Sequence, residues 1–577
     1  MFSWSRERIT VRKKILDFHK YQYALLAGVI ILCAVAFRLF LMAHNWPLTD
    51  SEEGTMGLEA LHIAFQRAHP IYFYGQNYMG VAEAYAGALM FRLFGVSVFS
   101  LRLGMLLFFT TFLVLVYLLG SLLYGRKVAC VALLLMVVGT MNVLIPEMKA
   151  VGGAVETLVF GTTVMLLASW LVLSSNREDG QDKKLLWARR LAYAGWGIAV
   201  GLGLWSHLLI VPFVFCSTVL LLVFCRRDLL SKNGMFLFLG LLIGAIPLIK
   251  YNITAPIAQN SLAVFIQLHS TSYPDAPTGI ILLLKQFSGT FLFSLPIATG
   301  MPQIISNTVL PLYNPVQKQF ILPILLYAAW SLGYMGLLGI SSWNALKSIT
   351  MLRKKKASEK TLETQERQAL ILHTARLLLL ACAWLTILSY LSSATAAQRP
   401  WSYRYLVGLM VTIPAVIAPL MNNHGWLDQM KLVKSKYINM FFLAILLVVP
   451  ILGTIQELPL ISDGDVLMQG QVQVVDALLH MGIRTIYSGY WVCDRVIFQS
   501  REQISCAAIK TVNAKIVPDL TRYPLYKTIV DKSKNVAYVF TDDGYFHPQS
   551  IIDKFSSNKR YSRIDINDYI IFVPVKH

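Results

Sequence analysis

Long apolar runs separated by short polar connectors set the pattern of this chain. The first, Tyr21 to Met42, has the length a helix needs to cross a bilayer, roughly 17–25 residues. Arg6, Arg8, Arg12, Lys13, Lys14 and Lys20 precede it. It exceeds the ~7–15-residue apolar core of a signal peptide and lacks a small-residue cleavage site, so an uncleaved span running from inside to outside is expected.

The next apolar stretch, Met79–Phe94, is short and carries Glu83 and Arg92. Its residues Ala82, Tyr85, Ala86, Leu89, Met90 and Leu93 recur at helical spacing, which predicts an interfacial helix. Further spans are predicted near Leu101–Tyr124, Val128–Ile145, Val155–Leu173, Leu191–Leu204, Leu208–Phe224, Met235–Ile249, Phe320–Ser342, Leu370–Leu391, Tyr405–Met421 and Tyr437–Ile455. Ile280–Pro296, marked by Lys285 and Gln286, reads as interfacial. The expected fold is a polytopic α-helical membrane protein of about eleven spans.

Basic connectors fall on one side throughout: Arg126/Lys127, Arg177 to Arg190, Arg226/Arg227/Lys232, Arg353 to Lys356, and Lys431/Lys434/Lys436. By the positive-inside rule the N-terminus is cytoplasmic and the C-terminal region lies outside. From about Glu457 the composition becomes that of a soluble domain. A helix end at Val474–Met481 and β-rich runs at Arg484–Tyr487, Asn535–Thr541 and Tyr569–Val575, with a turn at Asp542-Asp543-Gly544, predict a small α/β unit. The chain thus divides into a membrane domain, 1–456, and an extracytoplasmic domain, 457–577. On that oxidising side Cys493 and Cys506 could pair, although spacing does not decide it.

Composition agrees: 56% hydrophobic and 14% charged residues over 577 positions exclude one ordinary soluble core. The net charge of +20 lies in short connectors and not on one face, so it speaks for membrane orientation and against nucleic acid.

Candidate chemistry begins at Thr49-Asp50-Ser51-Glu52-Glu53, after the first span. Thr49-x-x-Glu52 fits a capping box and Asp50-x-x-Glu53 resembles one, so helix capping is one reading, with the helix stopping near His69-Pro70. Capping occupies only one or two of three acids, and a carboxylate at an apolar boundary suits general-base chemistry. On the same predicted side lie Glu147, Lys149 and Glu156, then His207, then Lys250 and Asn252, then Arg399 and Arg404. Acids to activate a nucleophile, with cations to hold a phosphate, make a transferase set. There is no His/Cys cluster with zinc-ligand spacing.

The acidic cluster, Gly75-Gln76-Asn77-Tyr78-Met79-Gly80-Val81-Ala82-Glu83-Ala84-Tyr85, Phe94-Gly95-Val96-Ser97, Leu101-Arg102-Leu103, Gly244-Ala245-Ile246-Pro247 with Tyr251-Asn252, and Arg404-Tyr405-Leu406 resemble the bacterial branch of glycosyltransferase family 39, in the GT-C superfamily. Tyr490-Trp491 and Arg522-Tyr523-Pro524 resemble tails of that branch. The resemblance implies an enzyme of the bacterial inner membrane that transfers a sugar from a polyprenyl-phosphate carrier to a glycan, lipid or protein acceptor at the outer face. It implies a catalytic acid in an Asp-Glu pair, which here falls on Glu52-Glu53, with Asp50 two residues earlier; the base is one of Asp50, Glu52 and Glu53. Gln76, Tyr78, Glu83, Glu147, Lys149, His207, Lys250, Asn252 and Arg404 are the expected substrate-binding residues. A divalent metal bridging phosphate and carboxylate is compatible with such chemistry. The competing reading is a transporter or flippase of lipid-linked sugars, which needs many of the same groups.

Overall fold

The structure, a computed structural model, describes residues 3–175, 183–270, 278–304, 321–359, 364–398, 402–421, 435–541 and 548–575. Arg177, Arg399, Lys431, Lys434 and the Asp542-Asp543-Gly544 turn lie outside them.

Among the described residues eight helices are long and apolar enough to cross a membrane: Tyr21–Ala43, Val98–Tyr124, Ala154–Ser174, Gly279–Ala298, Ile321–Ser358, Thr364–Leu391, Tyr403–Met421 and Tyr437–His480. A ninth follows if Lys232–Gly244 and Ile246–Thr254, bent by 55°, are one span. This is a multi-pass membrane protein, with a lower count than the eleven expected from the apolar runs. Three stretches account for most of the difference. The run at 128–145 is two short helices, Arg126–Leu134 and Met141–Met148, around irregular backbone. The Lys183–Ser206 helix opens on basic residues, and Leu208–Phe224 is a shorter apolar helix. Conversely, the Ile280–Pro296 stretch lies in a helical segment long enough to cross, where an interfacial helix was expected.

Irregular backbone among apolar helices needs partners for its polar groups. Arg38 donates to the carbonyls of Met136 and Val137 at 3.0 and 2.8 Å, and Thr454 Oγ1 donates to that of Gly139 at 2.8 Å. The buried Arg38 guanidinium is itself neutralised by Glu147, 2.5 Å away. Elsewhere the helices close on small residues. A Cβ on Gly197 would come within 2.3 Å of the Leu237 carbonyl, and one on Gly240 within 2.1 Å of that of Ala194.

Between the first two spans lie two helices that cross nothing, Ser51–Phe65 and Ala82–Phe94. The second has the expected outward apolar face, with Tyr85, Leu89 and Leu93 exposed, while Glu83, Ala84, Gly87, Ala88 and Phe91 are buried.

The Ser435–His480 helix runs without interruption from the last span into the soluble domain. There six strands, β1 (Thr485–Ser488), β2 (Ser505–Val512), β3 (Lys515–Pro518), β4 (Ala537–Thr541), β5 (Tyr561–Ile566) and β6 (Tyr569–Pro574), form one sheet in the order β3-β2-β1-β4-β6-β5. β1 is parallel to β2 and β4, and the outer pairings are antiparallel. Cys493 and Cys506 form a disulfide that joins the Tyr490–Gln499 helix to β2.

That Tyr490–Gln499 helix seats the domain on the Ser51–Phe65 helix. The two approach so closely that a Cβ on Gly54 would lie 2.6 Å from the Arg495 amide nitrogen, and one on Gly57 would lie 2.7 Å from the Phe498 ring.

Candidate active site at the head of the membrane helices

The three clustered acids occupy different environments. Asp50 is the N-cap of the Ser51–Phe65 helix: its Oδ1 accepts from the Glu53 amide at 3.1 Å, so the Asp50-x-x-Glu53 spacing does the capping. Its Oδ2 meets Lys149 Nζ at 2.5 Å, and that ammonium also donates to the Leu48 carbonyl. Burial raises the Asp50 carboxyl, but Lys149, together with the Glu53 amide and the Arg102 charge, more than offsets this and holds it below the ordinary carboxylate value. Both Asp50 oxygens are therefore committed.

Glu53 is fully buried and clasped by Arg102, whose Nε and Nη2 donate to its two oxygens at 2.8 and 2.7 Å. Arg102 also donates to the Pro47 carbonyl at 2.6 Å, tying the end of the first span to the second. This is an internal strut, sealed from any substrate.

The Glu52 side chain is 18% exposed; that of Asp50 is 32% exposed, but both of its oxygens are taken, by the Glu53 amide and Lys149, so Glu52 is the partly open acid of the three that no helix cap holds. Arg404 Nη1 donates to its Oε2 at 3.1 Å, and Arg522 Nη2 lies 3.8 Å from its Oε1. Arg404 begins the Tyr403–Met421 span, while Arg522 comes from the soluble domain. Tyr490 adds its hydroxyl, which accepts from Arg522 Nε at 2.7 Å.

Of the other expected residues, Tyr78 shares this site, with Glu52, Arg404, Arg522 and Tyr405 all acting on its phenol, which burial raises above its ordinary pKa. His207 lies beside Tyr405, ring centroids 6.4 Å apart, and caps the short turn Leu208–Ile210 by accepting from the Leu209 amide at Nδ1. Burial, then the Arg404 charge, lower its pKa to about 4, so it is neutral at pH 7. Lys149 reaches the site only through Asp50.

Glu83 is buried behind the site, its Oε2 on the Gly152 amide at 2.9 Å. Burial, with the Glu156 carboxyl beside it, raises its pKa well above the ordinary carboxylate value. Gln76 borders the same loop, its backbone amide donating to the Phe73 carbonyl at 2.9 Å.

Three expected residues serve elsewhere. Glu147 neutralises Arg38. Asn252 bonds Ser261 with both its amide oxygen and its amide nitrogen, at 3.0 and 2.9 Å. Lys250 is exposed on the Ile246–Thr254 helix.

Sequence reasoning did not select Arg522, Tyr490 or Asp494 for the site. The first two lie in the tail motifs Tyr490-Trp491 and Arg522-Tyr523-Pro524, which were the available signal. Asp494 is buried under the site, accepting from Thr55 Oγ1 at 2.8 Å. Burial raises its pKa from 3.8 to about 6. Since the fold favours its protonated form, stability falls as pH rises from the ordinary carboxylate range through about 6. Asp494→Asn, which keeps the acceptor oxygen, is expected to stabilise the protein above pH 6, by up to about 3 kcal/mol, and to flatten that slope. Melting curves of both proteins across this range provide the check.

Among the described residues no group of three or more His, Cys, Asp or Glu is placed to hold a metal. The acids that a bridging divalent cation would use face a lysine and three arginines, so this donor set does not fit one.

Long apolar helices joined to a C-terminal α/β domain, with the Glu52 carboxylate between an arginine of each where they meet, define a multi-pass membrane protein with an ionic cluster at the junction. No protein-family model and no curated protein matches the chain. Among solved structures, the chain is similar to ArnT from Cupriavidus metallidurans bound to undecaprenyl phosphate, at 13% identity and TM-score 0.44 over 95% of this chain and 98% of that one. It is also similar to the Archaeoglobus fulgidus oligosaccharyltransferase AglB with an inhibitory peptide and a dolichol-phosphate, at 13% and 0.45 over 97% and 75%. The apo form of the A. fulgidus oligosaccharyltransferase gives 12% and 0.47 over 91% and 70%. Likenesses this distant transfer no residue's role; the side chains must carry it.

Proposed function

We propose that this protein is a membrane glycosyltransferase that takes a sugar from a polyprenyl-phosphate-linked donor, with Glu52 as general base. The observation that carries this reading is the accessible Glu52 carboxylate, held between Arg404 and Arg522 at the end of the membrane helices. In the reaction Glu52 takes the proton of an acceptor hydroxyl or amine, whose oxygen or nitrogen bonds to the anomeric carbon. The bond from that carbon to the phosphate oxygen breaks, its electron pair leaving with the lipid phosphate. Arg404 offsets the charge that gathers on the leaving phosphate.

An apolar cavity lined by Met136, Gly139, Ala298, Tyr334, Met410 and Pro450 suits a lipid chain. It shares the Tyr403–Thr412 helix with Arg404, Met410 being six residues on, or roughly 12 Å along a 3₁₀ rise. On this reading the site, the C-terminal domain and its Cys493–Cys506 disulfide face the outer, oxidising side of the cytoplasmic membrane, a placement that the disulfide supports.

The test is turnover of undecaprenyl-phosphate-linked pentoses and hexoses by the detergent-solubilised protein with cell-envelope extract as acceptor, read as undecaprenyl phosphate released. Release of lipid phosphate without any membrane compartment is expected. Consumption of no donor in detergent, with donor translocated in proteoliposomes, would establish the flippase reading instead.

A further inference from the structure

The two guanidiniums on Glu52 are built differently. Arg522 is a fixture, its side chain only 4% exposed. Its Nε is bound to the Tyr490 hydroxyl, and its guanidinium sits 4.6 Å from the centre of the Phe73 ring. The loop at Gly75 closes over it so tightly that a Cβ there would lie 3.1 Å from Arg522 Cα.

Arg404, by contrast, is 44% exposed. Its contacts are Glu52 Oε2 and the neighbouring Tyr405, whose ring centroid lies 5.6 Å away. With its arginine half-open to solvent, this pair is weaker than the buried Glu53–Arg102 pair. A guanidinium on phosphate makes shorter, charge-assisted and often bidentate bonds. A phosphate at the site therefore competes well for Arg404 and poorly for Arg522.

We infer that Arg404 is an exchangeable partner of Glu52: it leaves the carboxylate for the phosphate of a bound donor and so frees Oε2 only once the donor is in place. This rests on the reading of Glu52 as the base. While Arg404 holds Oε2, an acceptor hydroxyl or amine has to compete with the guanidinium for the lone pairs of that oxygen. When Arg404 turns to phosphate, the fixed Arg522 guanidinium, 3.8 Å from Oε1, still leaves a positive charge beside the carboxylate. One residue thus links donor binding to base exposure, and the order is donor first.

The exchange makes Glu52 and phosphate rivals for one side chain, which a double-mutant cycle detects without knowledge of sugar or acceptor. Undecaprenyl phosphate binding to the full chain in detergent is measured calorimetrically for the wild type, Glu52→Gln, Arg404→Gln and the double variant. Glu52→Gln should tighten binding about 2- to 5-fold, Arg404→Gln should weaken it at least about 5-fold, and the double variant should match Arg404→Gln. Glu52→Ala replaces Glu52→Gln if the latter is not monodisperse.

Unchanged affinity in the Glu52 variants, or tightening that persists without Arg404, overturns the exchange. Inorganic phosphate as tight as the lipid phosphate also overturns it, since the anion taken would then not be the donor's. If the wild type does not bind undecaprenyl phosphate at all, the proposed function itself falls.

Discussion

Glu52→Gln is expected to lower sugar transfer by about 10²–10⁴-fold while the melting midpoint stays at its wild-type value. The amide keeps the volume of the acid and can still accept from Arg404, but it cannot take a proton. Its stability effect is small because the Arg404 contact is open to solvent and the Arg522 contact, at 3.8 Å, is too long for a hydrogen bond. Asp50→Asn gives the contrast. It retains an N-cap that accepts from the Glu53 amide and loses only the charge facing Lys149. Transfer assays and melting curves on the same preparations separate the two. A Glu52→Gln protein with full activity removes Glu52 as the base, and an Asp50→Asn protein that is folded and inactive moves that role to Asp50.

The division of labour among these acids was only partly legible in the chain. Asp50-x-x-Glu53 is a local pattern, and the structure follows it because capping needs only neighbours three residues apart. The helix after Val81 and its outward apolar stripe were legible for the same reason, since the stripe repeats with the helix itself. Partners far apart leave no such trace: Arg102 is 49 residues from Glu53, and Arg404 is 352 from Glu52. Nothing near Glu147 reveals that Arg38, 109 residues earlier, will consume its charge.

The membrane region shows the same limit. Apolarity marks Val128–Ile145 as one run, but whether it stays helical depends on Arg38 and Thr454, which satisfy the carbonyls of a broken segment. In the soluble domain β1, β4 and β6 stand out as β-rich runs. β2 opens on Ser505-Cys506-Ala507-Ala508, small residues buried by the neighbouring helix and strand, which carry little strand preference of their own.

Arg102→Leu is expected to be among the most destabilising single changes in the chain, costing about 3–5 kcal/mol. The reason is what it leaves behind. Glu53 is 0% and Arg102 1% exposed, so removing the guanidinium strands a carboxylate with no solvent and frees the Pro47 carbonyl as well. Glu53→Leu should cost a similar amount, by leaving Arg102 buried without its counter-ion. The double variant should cost less than either single change, because two apolar side chains in that space need no counter-ion. Thermal unfolding in detergent of the four proteins supplies the comparison. Equal and additive losses would mean that the pair is solvated, contrary to its burial. If the losses are coupled as expected, Glu53 is excluded as a catalytic acid on energetic grounds: a carboxylate that needs its arginine for the fold to stand cannot also be released to a substrate.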